Sequence, residues 1–309
     1  MIGSHLMQRL QELGHDVVGT YHNPTIDSDE LKKIGRIVPL DVRYGRSTLD
    51  VIERLKPDWI FHLAAQSYPT VSWERPQETF DINVNGTVNV FEAVKDVRKR
   101  TRSYEPSILV ACSSAEYGAS LTPDRVPIVE DTPLLPLHPY GVSKVAQDLL
   151  TYQHFVNDGI RGIRARIFNT TGPRKRGDVV SDFARRVARI VRGADTTLRV
   201  GNLETKRAIL DVRDTVDGLI CMQEKGKAGD VYNISSDQVC RIGDLIPILE
   251  TATGRRIVTE VDKALLRPSD EPIIFGSSAK LTRDTGWRQK HALKETVESV
   301  LAYELSKVA

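Results

Sequence analysis

Ile108-Leu109-Val110-Ala111-Cys112 is a continuous apolar run that opens into Ser113-Ser114, and after a Pro-rich loop it is followed by Pro139-Tyr140-Gly141-Val142-Ser143-Lys144. A short run that is apolar at every position reads as a strand buried on both faces, here delivering two hydroxyls to a sheet edge. The second stretch opens an amphipathic run through Val145, Ala146, Leu149, Leu150 and Phe155, whose spacing is helical. Tyr140 and Lys144 are four apart and project from one helix face. An ammonium held there stabilises a phenolate, so the Tyr140 pKa is expected to fall from about 10 toward neutrality. Such a phenol exchanges protons at physiological pH, as general acid–base chemistry requires. The same Tyr-x-x-x-Lys spacing recurs at Tyr303 and Lys307, but no strand follows that pair and no hydroxyl-rich loop precedes it. It reads as a surface pair.

Working outward, the spacing predicts strands over 16–21, 36–40 and 59–63, helices over 47–55 and 76–97, and a strand over 163–168. Pro76 is a good first-turn residue for its helix. Strand and helix alternate strictly, and the strands are nearly continuous apolar runs. That pattern argues for a parallel sheet covered by helices on both faces. Ligands of such sheets bind beyond the carboxyl ends of the strands. Asp41, Ala64, Ser113 and Asn169 all stand at such ends, which points to one cleft.

After Asn169 the alternation degrades. A basic loop, Gly172-Pro173-Arg174-Lys175-Arg176-Gly177, leads to helices predicted over 180–191, 215–224, 241–252, 279–285 and 293–305. Short strands fall near Leu198 and Ile209 and over 230–234. Residues 1–169 read as one domain, and 170–309 mainly as a smaller α/β lobe that closes over the cleft and is interleaved with the first. Arg174, Lys175, Arg185, Arg207 and Arg267 are spread over its loops and one helix; facing the cleft, they would suit a diphosphate, which Arg binds in bidentate fashion.

Composition bounds the partners. The 309 residues are 40% apolar and 27% charged, typical of a soluble globular protein. A net charge of +2 supplies no long-range field for nucleic acid, and the basic run 95–102 reads as a solvated helix end. No apolar stretch reaches the roughly 18 residues that span a bilayer. Cys112, Cys221 and Cys240 have no metal-like or redox-like spacing and read as thiols of a reducing cytoplasm; no metal site is expected.

With these residues in place, the chain resembles the extended short-chain dehydrogenase/reductase family, in its nucleotide-sugar branch. Ser113, Tyr140 and Lys144 match that family's catalytic Ser/Thr, Tyr and Lys. Asp41-Val42 resembles the pair that meets the adenine, Leu63-Ala64-Ala65 the loop under the cofactor pyrophosphate, and Leu210-Asp211-Val212-Arg213-Asp214 the second-lobe signature. Four segments are similar to GDP-mannose 4,6-dehydratases and GDP-4-keto-6-deoxymannose reductases: Ala64-Ala65-Gln66-Ser67, Asn169 to Arg174, Gly201-Asn202-Leu203-Glu204 and Leu266-Arg267-Pro268-Ser269.

The resemblance implies a Rossmann-like doubly wound sheet, a nicotinamide cofactor held by Gly3, His22, Asp41, Val42, Leu63, Ala64, Ala65, Tyr140 and Lys144, and a GDP-linked hexose reacting at C4. It implies substrate contacts from Ser114, Asn169, Arg174, Arg185, Arg207 and Arg267. It also implies a homodimer through the 76–97 helix and the Tyr140 helix. The strand ending Val18-Gly19-Thr20-Tyr21-His22 lacks the acid that accepts the ribose hydroxyls of NAD, so NADP is favoured over NAD.

Two departures bear on chemistry. Arg207-Ala208 stands where relatives carry Arg-Asp, and Ala115 stands where the dehydratases carry the Glu that takes the C5 proton, with Glu116 one step on. A neighbour in an extended segment points to the other side, so Glu116 is not expected to substitute. This favours a reductase, with a 4,6-dehydratase next; a 4-epimerase and a catalytically silent relative are the further alternatives.

The start of the chain is a third departure. Met1-Ile2-Gly3-Ser4-His5-Leu6 fits only the last Gly of the Gly-x-x-Gly-x-x-Gly turn, with no strand before it. The expectation is a doubly wound sheet lacking its first strand, in a form shortened by about ten to fifteen residues, that binds NADP(H) poorly and tends to aggregate.

Overall fold

A computed structural model of the chain describes residues 1–26, 28–266 and 271–307. Its centre is the strand Ser107–Ser113 (β4 below). Ile108, Leu109 and Val110 are each fully buried. Their side chains alternate between two cores, as a strand's period of two demands. Ile108, Val110 and Cys112 pack with Phe91, Val94 and Val97 of the helix Gly86–Arg100. Leu109 packs with Leu219 and Met222 of the helix Val212–Lys225 on the other face. Each such buried aliphatic or aromatic side chain contributes about 1.5–3 kcal/mol.

Numbering the first five strands in chain order, β1 is Gly19–Tyr21, β2 Ile37–Pro39, β3 Trp59–His62, β4 Ser107–Ser113 and β5 Arg161–Ile167. A parallel sheet runs Val231–Ile234, β5, β4, β3, with Leu109 opposite Phe61 on one side and Ile163 on the other. The first strand, at 19–21, is shorter than the predicted 16–21. β1 and β2 form a separate parallel pair. Among the described residues β1 pairs only with β2, and β3 only with β4, so the doubly wound sheet stands in two pieces. The helix Ile2–Glu12 packs over both. Leu6 and Leu10 meet Val212, Val216 and Ile220, while Met7 meets Leu31 and Ile34. Val17 packs against both groups.

The single helix expected over 76–97 is instead Pro76–Phe80, a π-helical turn Asp81–Asn85, and Gly86–Arg100, with a further helix at Pro69–Glu74. The wide turn accompanies contacts that reach across the fold. Asn83 is fully buried, its Nδ2 donating to Ser143 Oγ (2.9 Å) and Gln66 O (3.1 Å) while its Oδ1 accepts from the Gln66 N–H (2.8 Å). A π-turn rotates one residue further than an α-turn, which aims Asn83 inward.

A second core joins the helices Val179–Val191, Leu245–Thr253 and Leu293–Lys307 around the strand Leu198–Val200, through Phe183, Val187, Leu198, Leu249, Val297 and Leu301. Asp178 caps the first of these helices, accepting from the Ser181 N–H at 2.8 Å. At the end of Gly86–Arg100, Lys95, Arg98, Lys99 and Arg100 each pair with an acid: Glu92, Glu105, Asp96 and Glu53. Among the described residues no helix is long and apolar enough to cross a membrane, and the three cysteines are free thiols.

Candidate active site

Ser113 ends β4 and caps a single 3-10 turn, Ser114–Glu116. Its Oγ accepts from the Ala115 N–H at 3.2 Å, and Glu116 Oε1 accepts from the Ser113 N–H at 2.7 Å. This reciprocal box turns Glu116 inward and leaves Ala115 on the cleft wall. The expectation that Glu116 faces away from the cleft holds, but for a different reason: the segment is a capped turn rather than extended chain. Glu116 is fully buried, 3.2 Å from Arg166 Nε. Arg166 also donates to Asp148 (2.9 Å) and to the Tyr117 hydroxyl (3.0 Å), and Arg164 donates to Asp148 (2.8 Å). Burial and the nearby Asp148 push the Glu116 carboxyl up. Cys112, Glu116 and Asp148 lie within 4.8 Å of one another, and the Arg166 guanidinium supplies the positive charge among them.

The helix Pro139–Asp158 brings Tyr140 and Lys144 to the same place. Gly141 makes this approach possible: a Cβ there would stand 2.6 Å from the Ala115 carbonyl oxygen. Tyr140 is buried and hydrogen-bonded to Ser113. Lys144 is buried, with Nζ 2.8 Å from the Ala111 carbonyl and 5.7 Å from the centre of the Tyr140 ring.

The expected lowering of the Tyr140 pKa is corrected here. Burial pushes the phenol up to about 12, against the opposing Ser113 hydrogen bond, and Glu116 adds to the rise. Lys144 spends its ammonium on Ala111, over the ring rather than at the hydroxyl, and burial lowers it to about 8. Desolvation outweighs the charge that the spacing alone suggested.

These groups open onto a cavity of about 700 Å³ between the two cores. Its wall includes Gly3, Leu63, Ala65, Ser113, Ser114, Tyr140, Lys144, Asn169, Arg174 and Arg207. Arg207 is buried and donates to the Glu271 carbonyl at 2.9 Å. Arg174 is tied to the first helix, donating to Gln8 Oε1 (2.5 Å) and meeting His5 Nδ1 (3.1 Å).

The remaining expected residues that are described stand apart from this wall. His22 is exposed and sits 3.4 Å from Asp41, which Arg43 holds in bidentate fashion at 2.7–3.0 Å. Val42 is buried against Gly86 and Ala64 is half-buried. Arg185 pairs with Asp182 at 2.6 Å. Arg267 lies outside the described residues. The wall holds residues that sequence reasoning missed: His138, Trp73, Arg176, Arg186 and Arg199. Arg186 was findable, because Val179, Asp182, Phe183 and Arg186 recur at helical spacing on the cleft face, which leaves Arg185 off it. The Tyr303 hydroxyl and Lys307 both bond Glu30, away from the cavity.

The donor set suits a dinucleotide. The start of the first helix, where backbone N–H groups lack intrahelical acceptors, lies on the wall beside Arg174 and Lys175. At Gly3 a Cβ would find its nearest neighbour, Leu63 Cδ1, at 3.7 Å, so the approach there is open.

Residues 1–300 match the model of the GDP-mannose 4,6 dehydratase family. The chain is 32% identical to the GDP-6-deoxy-D-mannose reductase of Pseudomonas aeruginosa over 271 residues, covering 86% of this chain and 87% of that one. It is 27% identical to GDP-mannose 4,6 dehydratase 1 of Arabidopsis thaliana, covering 98% and 86%. Its fold is similar to that of RMD from Pseudomonas aeruginosa complexed with NADPH, with a TM-score of 0.84, 28% identity, and 100% and 96% of the two chains covered. The capped Ser113 turn, the Tyr140 helix and a family match over nearly the whole length lead to one conclusion: the chain belongs to the GDP-mannose 4,6 dehydratase family, within the extended short-chain dehydrogenase/reductases.

Proposed function

We propose that this enzyme is an NADP(H)-dependent reductase of a GDP-linked 4-keto-6-deoxyhexose, GDP-4-keto-6-deoxymannose being the substrate that fits best. One observation carries the choice of reductase. The cleft wall next to Ser113 and Tyr140 carries Ala115, which has no group that could act as a base, and the neighbouring carboxylate, Glu116, is buried against Arg166. Dehydration needs a base for the C5 proton, whereas ketone reduction needs only an acid. The coarser reading, oxidation–reduction at C4 of a GDP sugar, is supported by the family match and by both named relatives.

The cofactor supplies a hydride when bound, and Gly3, Leu63, Ala65 and Lys144 would hold it. Tyr140, with its pKa near 12, is protonated at neutral pH and can deliver its proton to the C4 oxygen as charge builds there. Ser113 orients that oxygen from the capped turn. Arg207 and Arg186 line the second-lobe wall where a diphosphate would lie. Arg43 is the cation beyond β2, with the His22 imidazole at the end of β1 beside the same Asp41, and the pair favours the 2′-phosphate of NADP over NAD. Residues 170–309 would supply most of the sugar-nucleotide lobe, interleaved with the cofactor domain.

The helix Pro139–Asp158 leaves Val142, Leu149, Tyr152 and Val156 exposed along one stripe, which supports a homodimer through that face. A cytoplasmic location is in keeping with the free thiols. The test supplies GDP-4-keto-6-deoxymannose and NADPH and follows absorbance at 340 nm. Oxidation of NADPH is expected, and no 4-keto product should form from GDP-mannose with NADP. No oxidation with the keto sugar would refute the reductase. Formation of the 4-keto product would favour the dehydratase, which the family model and the Asn169 to Arg174 loop also support.

A further inference from the structure

His138 is the residue just before the Tyr140 helix, and its imidazole does two things. Its Nδ1 accepts the Gly141 N–H at 3.0 Å, capping the helix. Its ring lies nearly parallel to the Tyr140 ring, with centroids 5.9 Å apart and planes at 16°. A backbone N–H can only donate, so Nδ1 must be the bare nitrogen and Nε2 must carry the proton. His138 lines the cavity, and its Nε2 has no hydrogen-bond partner among the described residues. Burial holds the ring below the ordinary His range, against the raising influence of Glu271 across the cleft, so the neutral tautomer persists at pH 7. The helix N-terminus acts in the same direction.

We propose that His138 is a substrate-binding residue whose Nε2–H donates to an oxygen of the sugar other than the C4 oxygen held by Tyr140 and Ser113. This rests on the reading of the cavity as a sugar-nucleotide site. The cap fixes the tautomer, the ring stack fixes the plane, and the free donor is held beside the acid that acts on the sugar. A serine or asparagine there would still cap Gly141 but would not place a donor at the position of Nε2.

The test compares wild type, His138→Ser and His138→Asn, each loaded with NADPH, for binding of GDP-mannose and of GDP by calorimetry. Wild type is expected to bind GDP-mannose more tightly than GDP, and both variants to lose about ten-fold of that preference, the worth of one hydrogen bond. Affinity for GDP and for NADPH should be unchanged, and Tm should fall by no more than a few degrees, because the cap is kept. Variants that keep the wild-type preference for GDP-mannose overturn the proposal. So does a wild type that shows no such preference. Turnover separates this from the functional reading: wild type that oxidises NADPH with the keto sugar, alongside variants that bind and react as it does, sinks His138 alone.

Discussion

Replacing Tyr140 with Phe removes one hydroxyl and leaves the ring. The hydroxyl's protein partner is Ser113, so stability loses one hydrogen bond of about 0.5–1.5 kcal/mol. In a chain of this size that corresponds to a fall in Tm of roughly 1–2 °C. The effect on chemistry should be far larger. With a pKa near 12, the wild-type phenol is un-ionised in all but about one molecule in 10⁵ at pH 7, so the enzyme stands ready as an acid. Removing a positioned general acid costs about 10²–10⁴ in rate, or roughly 3–5 kcal/mol of barrier. Ser113 remains on the wall with Ser114, its Oγ accepting from the Ala115 N–H. The assay is NADPH oxidation with the 4-keto sugar, alongside NADPH titration by fluorescence. Expected are a kcat reduced at least 100-fold and an NADPH affinity within about three-fold of wild type. A Tyr140→Phe enzyme that keeps more than a tenth of kcat would refute the assignment of Tyr140 as the acid. Tyr303→Phe, whose hydroxyl meets Glu30 away from the cavity, should be silent in both measurements.

Arg166→Met leaves the buried Glu116 without its cation and Asp148 with Arg164 alone, and a loss of about 3–5 kcal/mol should appear as a large fall in the urea midpoint; an unchanged midpoint would show that the cluster is not electrostatically coupled. His62 is fully buried, donates to Thr87 and is held down to about 3. The unfolded chain therefore takes up that proton first, and stability falls with pH below about 6.5. Between pH 6.5 and 5.5 wild type should lose about 1 kcal/mol more than His62→Gln, and parallel pH profiles would contradict this. Leu149→Glu, on the exposed stripe, should shift the protein from dimer to monomer in light scattering at micromolar concentration; a monomeric wild type, or a dimeric variant, would count against that face.

The fold was legible because the apolar runs carry two kinds of information at once. The continuous run at 108–112 marks burial on both faces, and its alternate residues do reach two separate cores. Helix positions in the second lobe were found from spacing within a few residues. The π-turn was not legible, because it is set by Asn83 reaching Gln66 and Ser143 across the fold rather than by local sequence. The candidate site was legible in the juxtaposition at its centre but less so in its outer members and its electrostatics. Ser113, Tyr140 and Lys144 do come together, yet spacing on a helix says nothing about where an ammonium finds its acceptor. Ala111 O takes Lys144, and burial then sets the direction of the Tyr140 shift. Arg185 and Arg186 differ only in helical phase, and a composition argument cannot choose between neighbours.

One short turn links the stability of this site to the kind of reaction it favours. Glu116 accepts from the Ser113 N–H and lies against Arg166, so the carboxylate is committed to the protein's interior before any substrate arrives. Turning it back toward the cleft would take one of the two carboxylates from Arg166 and break the cap, a change that costs several kcal/mol. That commitment leaves a methyl on the cleft wall, and with it no local base at Ala115 for a carbon-bound proton. The buried Glu116 also bears on the acid, since its charge adds to the elevation of the Tyr140 pKa. A pKa near 12 keeps the phenol protonated at neutral pH, the form that can donate to a nascent alkoxide. A cleft wall with Ala115 and a protonated Tyr140 is what the proposed ketone reduction would use, and the inward Glu116 contributes to both.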